Sequence, residues 1–180
     1  MVFTAWLLSA CQPLTNETPT LTLIDPQPLW HAGQLGLEAG IAYEPGPAVV
    51  EALHHGVVIP IRVTTRVDPR RPLLATSDRT RSHRFEIRYL PLTQRYELRD
   101  LRADELSSYP RLSMALEALA SARWLSVQLD QADMDNGDWL VEARVDIDRT
   151  RVPSPMRLTV WLERDWRPGG AWRRWQVDAP

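Results

Sequence analysis

Residues 35–43 read LGLEAGIAY, and this strict alternation constrains the fold more than any other stretch of the chain. Leu35, Leu37, Ala39, Ile41 and Tyr43 fall on one side of an extended backbone, with Gly36, Glu38, Gly40 and Ala42 on the other. A period of two residues specifies a β-strand with one buried face. The second face carries almost no side chains. Another segment is therefore expected to approach it closely, the usual meaning of glycine inside a strand.

The same period recurs along the chain. Leu21 to Ile24 predicts a short first strand. Val57, Ile59, Ile61, Val63 and Val67 oppose Arg62, Thr64 and Arg66, and Pro60 within that run predicts an edge position, because proline cannot donate to a ladder. Residues 68–82 read as a long polar loop. Phe85, Ile87 and Tyr89, a turn over Pro91 to Gln94, then Tyr96 and Leu98 predict a hairpin. Trp124 to Leu129, and Trp139 to Ile147 after an Asn136-Gly137 turn, are two further strands. Leu158, Val160 and Leu162 predict another, which Pro153 and Pro155 separate from its predecessor, and Ala171 to Val177 the last, for a total of about nine. Two short helices are expected. Pro47 opens the first, with Val49, Val50 and Leu53 as its stripe and Gly56 as its stop; Pro110 opens the second, with Leu112, Ala115, Leu116 and Leu119 at helical spacing. Short connections favour antiparallel pairing. The expected fold is mainly β, an antiparallel sandwich or strongly curved sheet covered by two short helices.

At 180 residues, 44% hydrophobic and 24% charged with a net charge of −2, the composition suits one globular domain. No stretch approaches the roughly 20 apolar residues of a spanning helix. All 21 cationic side chains are arginine. This is most simply a codon-composition bias, which lowers the weight of any single arginine. It also excludes Schiff-base, phosphate-loop and general-base lysines.

The lone cysteine bears on location. Val2 to Leu8 is an apolar run, and Leu8-Ser9-Ala10-Cys11 resembles the bacterial lipobox: an aliphatic residue, two small residues that let the backbone enter a peptidase cleft, and the cysteine that takes the lipid. On this reading residues 1–10 are the remnant of a signal peptide and Cys11 is the lipid attachment site. Residues 11–20 are then a flexible tether and 21–180 the globular domain. The run has no charged residue before it, so the expected start codon lies upstream. Two or more acyl chains anchor a protein stably where one does not. Gln12 after the cysteine favours the outer membrane, and the expected location is periplasmic.

Catalytic motifs are missing: no serine elbow, no phosphate loop, no paired cysteines, no H-E-x-x-H, and nothing that implies a cofactor or a metal. His54 and His55 are adjacent on a helix, where side chains diverge by about 100°, so they read as a polar helix end. Asp133 to Asp138 has the look of a calcium loop, but its glycine falls one place early and no glutamate closes it, so it reads as a hairpin turn. Asp146 and Asp148 share one strand face about 6.6 Å apart. That spacing suits an inverting carboxylate pair, although Arg144 on the same face favours a solvated polar surface. The expectation is a protein that is not an enzyme, with a hydrolase using Asp146 and Asp148 as the remote alternative.

Charge is unevenly spread. From Arg62 to Arg88 eight arginines stand against Asp68, Asp78 and Glu86, a net +5 that leaves −7 for the rest of a chain of −2. A basic hairpin and loop of this kind can meet lipid headgroups or an acidic partner, with Arg70, Arg71, Arg79 and Arg81 as the partner-binding candidates. A solvated arginine-rich surface is the ordinary alternative. Interleaved aromatics that would stack bases are missing, so nucleic acid is not expected. Trp166, Trp172 and Trp175, among arginines, could form a cation–π or membrane-interface patch; the ordinary reading is a closing strand whose tryptophans fill the edge of the core.

Several of these stretches, in this order, carry a resemblance. Tyr43 through Gly56 and Val58, the hairpin RYLPLTQRYELRD, the helix before Arg123-Trp124, the segment DIDRTRVPSPMRL and the closing DWRPGGAWRRW resemble a proteobacterial envelope family known only as a domain of unknown function, over about residues 34–177. The resemblance implies a short exported protein, often encoded beside a membrane sensor kinase and response regulator of the nitrogen-regulation type, and supplies no catalytic residues. The functional expectation is a lipid-anchored periplasmic binding or adaptor module whose arginine-rich loop contacts an envelope partner. A sensor kinase is one candidate by neighbourhood analogy. The alternative is a carrier or sensor of a small amphiphilic ligand held between sheet and helices.

Overall fold

The computed structural model describes residues 18–69, 79–130, 139–152, 160 and 162–177. Cys11, Arg70, Arg71, the Asp133 to Asp138 segment and the Pro153 and Pro155 breaks all lie outside these residues. Two antiparallel sheets and two short helices make a mainly β, sandwich-like fold whose sheets do not close.

The smaller sheet has the order β1-β2-β7, from β1 (Thr20–His31), β2 (Gln34–Glu44) and β7 (Arg123–Asp130). β1 and β2 form a hairpin through Ala32 and Gly33, both with positive φ (48° and 75°), the two-residue turn that matches strand twist. β1 runs well past the expected Leu21 to Ile24. Pro26 and Pro28 argue against a strand locally, yet β1 is an edge, and a bulge between Ile24 and Gln27, with Asp25 at φ 41°, absorbs the irregularity.

The larger sheet has the order β6-β5-β4-β3-β8-β9. Its strands are β3 (Ile59–Pro69), β4 (Thr80–Leu90), β5 (Arg95–Asp100), β6 (Glu105–Tyr109), β8 (Trp139–Ile147) and β9 (Arg173–Val177). Three expectations fail here for physical reasons. Pro60 does not mark an edge: β3 is central, paired with β4 and β8. The proline is tolerated because the ladder to β8 starts only at Ile61, and Pro60 uses its carbonyl to accept the Asp148 amide at 2.8 Å. The loop predicted over 68–82 is shorter, since β3 extends to Pro69 and β4 starts at Thr80. The strand predicted through Leu158, Val160 and Leu162 is absent at the two described positions, which are helical. Val160 is fully buried and Leu162 is 69% exposed, opposite fates that helical geometry gives to residues two apart. β6, which has almost no apolar residues, carries no periodic signal and is an unanticipated strand.

α1 (Pro47–His54) and α2 (Leu112–Ala120) both pack on the inner side. Val49 and Leu53 enter the main core with Ile59 and Ile87, each contributing about 1.5–3 kcal/mol by burial. Gly56 at φ 84° ends α1 as expected. Gly46, the N-cap of α1, has no side chain to offer, and Asp165 from the C-terminal segment accepts the Ala48 amide at 3.0 Å instead. The bare face of β2 is where other segments come close. A Cβ on Gly40 would collide with the Ala120 carbonyl at the end of α2, and one on Gly36 with the Trp124 ring. A second, smaller core of Leu35, Val67, Val127, Leu129, Trp139 and Val141 fills one end of the sandwich.

Candidate functional site

Alternation in the large sheet sends Ile61, Val63, Phe85, Ile87, Val141 and Val145 into the core. The polar residues between them share the opposite face, and the register decides which of them meet. Arg62 stands across from Arg84 and Asp146, Thr64 from Arg144, and Arg66 from Glu142, which in turn stands across from Arg174. Further along, Arg88 faces Glu97 and Glu86 faces Arg99. Both helices pack on the inner side, so among the described residues no helix covers this face.

Its charges are organised. Arg62 reaches Asp146 at 2.8 Å and Asp148 at 3.4 Å, and Arg144 lies 3.3 Å from Asp146. Glu142 is 5% exposed, paired with Arg174 and, at 3.6 Å, with Arg66. Arg88 donates to Glu97 at 2.6 Å. Trp172 lies among these groups: the guanidinium carbons of Arg66 and Arg144 each sit 4.9 Å from its ring, a cation–π clamp of two guanidiniums. Sequence reasoning placed Trp172 in a patch with Trp166 and Trp175, and the structure separates the three. Trp166 is 1% exposed within the main core, and Trp175 packs against both cores from β9. Trp172 alone belongs to the arginine face.

Asp146 and Asp148 do not share a strand face as expected. β8 ends at Ile147, and Asp148 caps the 3-10 turn Arg149–Arg151. Asp148 is 2% exposed and accepts the Thr150 hydroxyl at 2.6 Å. Both carboxylates reach for the same guanidinium, that of Arg62, rather than facing one another across open space. Beside them lies a cleft of about 420 Å³ lined by Arg62, Arg144, Arg149, Arg167 and the two aspartates, with Gly169 and Gly170 along its wall.

The loop arginines within the described residues turn inward. The Arg79 guanidinium stacks on Trp139 at 5.0 Å, and Arg81 donates to the Ser126 hydroxyl at 3.3 Å. Arg102 donates to the same oxygen and lies 3.4 Å from His83 Nδ1. His83 Nε2 is 2.9 Å from the Ser126 carbonyl, so this nitrogen carries the proton. Burial holds the His83 pKa below its ordinary value, with the Arg102 and Arg81 charges adding to the effect against the Ser126 hydrogen bond. Sequence reasoning gave no sign of this cluster. His54 meets the Tyr96 hydroxyl at 2.7 Å while His55 bonds the Glu51 carbonyl of its own helix at 2.8 Å, so the two rings point to different partners. The apolar space between sheet and helices, beside Tyr43, Val49, Leu53 and Leu116, amounts to about 10 Å³, no more than one water needs.

No curated protein and no solved structure matches the chain. One family model does, over residues 21–176, from the start of β1 to the end of β9, which is nearly the whole described fold. The chain belongs to the family described as a domain of unknown function, DUF4390.

Proposed function

We propose that the protein is a periplasmic binding module, tethered to the membrane through a lipidated Cys11, that docks an acidic envelope partner on the outer face of its six-stranded sheet. The observation that carries this reading is that face itself, over which neither α-helix lies among the described residues. Arg62, Arg66, Arg84, Arg88, Arg144 and Arg174 share it, Arg66 and Arg144 against Trp172, and Glu97, Glu142 and Asp146 pair with its guanidiniums. Ion pairing fixes the direction of each guanidinium, and arginine and tryptophan are the residue types that most often carry interface energy. This shifts the expected contact from the loop arginines to the sheet, because Arg79 and Arg81 are engaged with Trp139 and Ser126. The small apolar space beneath the helices weighs against a ligand carrier there, and the sharing of Arg62 by both aspartates weighs against an acid–base pair.

The test places a photo-crosslinking residue at Arg88 or Arg99 on the face, and at Arg111 at the start of α2, in intact cells. Capture of one protein from both face positions but not from Arg111, abolished by Arg84→Glu, is the expected result. No capture from correctly localised protein overturns the docking. Radiolabelled palmitate, with Cys11→Ser as control, tests the tether separately: a full-length gene product that takes no label overturns it.

A further inference from the structure

We infer that the end of the sandwich bearing the β4–β5 turn sits in the interface of a phospholipid bilayer, a contact that rests on the tether at Cys11. The turn, residues 91–94, is fixed by the Leu90–Arg95 pair and by Gln94 at φ 52°. Leu92 on it is wholly exposed, more so than any other large hydrophobic among the described residues. Single exposed leucines are common; what lies behind this one sets it apart. Tyr89 stands across from Tyr96 and Tyr96 from Tyr109, so a row of three half-buried tyrosines crosses β4, β5 and β6 just behind the tip. The Tyr89 and Tyr96 rings lie 4.9 Å apart, and His54 at the end of α1 meets the Tyr96 hydroxyl at 2.7 Å. Tyrosines behind a protruding apolar tip suit a membrane interface, where the rings sit at headgroup level.

The tether arrives at this same end. Arg173, across from Ala143, donates to the Leu23 carbonyl at 3.0 Å, and Gly170, bonded to the Val145 carbonyl, lies beside the Leu21 carbonyl. From Leu23 back to Leu21 the chain therefore follows β8 toward its last residue, Ile147. Ile147 lies level with Ile61 and Phe85, and β4 runs on from there to Leu90. Glu44, across from Thr20, leads within three residues into α1, the helix that ends at the tyrosines. Thr20 is nine residues from Cys11, a reach of at most about 30 Å, so an anchor there keeps this end near the bilayer. A lone leucine cannot hold a protein on lipid, but an acyl anchor supplies the local concentration that makes a weak second contact effective. Standing on this end, the six-stranded sheet turns its arginine face along the membrane plane, open to an envelope partner.

A chemically supplied anchor separates this contact from the question of whether cells lipidate Cys11, which palmitate labelling answers. The full chain, purified without lipid, carries one thiol, and coupling Cys11 to a maleimide phospholipid places it on vesicles of phosphatidylcholine brominated along its acyl chains. A dansyl-bearing residue is built in at Thr93, next to Leu92, or at Ala103, after β5 at the opposite end of the sheet; both positions are exposed. Bromine should quench the probe at Thr93 several-fold more than the probe at Ala103. Leu92→Asp, at a position with nothing packed on it, should keep the wild-type thermal midpoint and bring quenching at Thr93 down to the Ala103 level, while Leu92→Phe preserves it. Quenching at Thr93 no stronger than at Ala103 in the anchored wild type, or undiminished in folded Leu92→Asp, overturns the inference and leaves the tether to its own test.

Discussion

Gly40→Ala probes the closest approach made to any glycine among the described residues. The added methyl would sit inside contact distance of the Ala120 carbonyl oxygen and 2.9 Å from its carbon. Both are backbone atoms at the end of α2, so no side-chain rotation relieves the clash. Either β2 bends or α2 moves, and α2 carries Ala115 and Leu119, both fully buried. Overpacking of this kind costs about 1–3 kcal/mol, and an immovable backbone partner puts the cost near 3. Replacing a strand glycine returns about 0.5–1 kcal/mol. The net loss is about 2 kcal/mol, which lowers the thermal midpoint of a chain this long by about 4–8 °C. Two other glycines calibrate the measurement. At Gly36 the obstacle is the Trp124 ring, a side chain that can tilt, so alanine there costs less. At Gly169 the nearest atom is the Asp146 Cβ at 3.5 Å, an ordinary contact, so alanine is close to neutral. Differential scanning calorimetry should rank the midpoints Gly40→Ala lowest, Gly36→Ala between, and Gly169→Ala near wild type. A Gly40→Ala protein as stable as wild type would refute the seating of α2 on β2.

Two more outcomes follow from the same geometry. Burial holds the His83 pKa below its ordinary value of about 6.5, so below about pH 6.5 the unfolded chain binds more protons than the folded one. Stability contributed by the neutral ring is fully present above that pH and is lost as the pH falls toward the folded value. The urea midpoint should therefore drop between pH 7 and pH 5.5, and His83→Gln should flatten that slope; an identical slope in the variant would contradict the assignment. Asp165→Ala removes the side-chain acceptor that, among the described residues, meets the start of α1. A loss of about 1 kcal/mol by urea denaturation is expected, with no loss in the conservative Asp165→Asn beyond a few tenths.

How much was legible in the sequence depends on how local each cause is. β2, β8 and α2 follow from periodicity carried by their own residues, and the close packing opposite Gly36 and Gly40 could be read from missing side chains. Pro60 misled because a proline reports what its own nitrogen cannot do, while the neighbouring strand decides whether that matters. Val160 and Leu162 misled because a few alternating residues fit a strand and a helix turn equally well. The site was half visible. Arg62 and Arg66 on one face, and Arg144 beside Asp146, could be read from strand parity. The clamp on Trp172 could not, since it depends on the register of β3 against β8. Nor could the capping of α1 by Asp165, which acts across 117 residues of chain.

The proposed docking requires that the half-exposed arginines of the outer face become covered in the envelope. Arg84, Arg88 and Arg99 have side chains 45–47% exposed, open to phenylglyoxal. Modification followed by peptide mass mapping, on purified protein and on intact envelopes, measures that cover directly. These three arginines should react several-fold more slowly in envelopes while Arg111 reacts equally in both. Equal reactivity of all four in the two preparations would contradict the account.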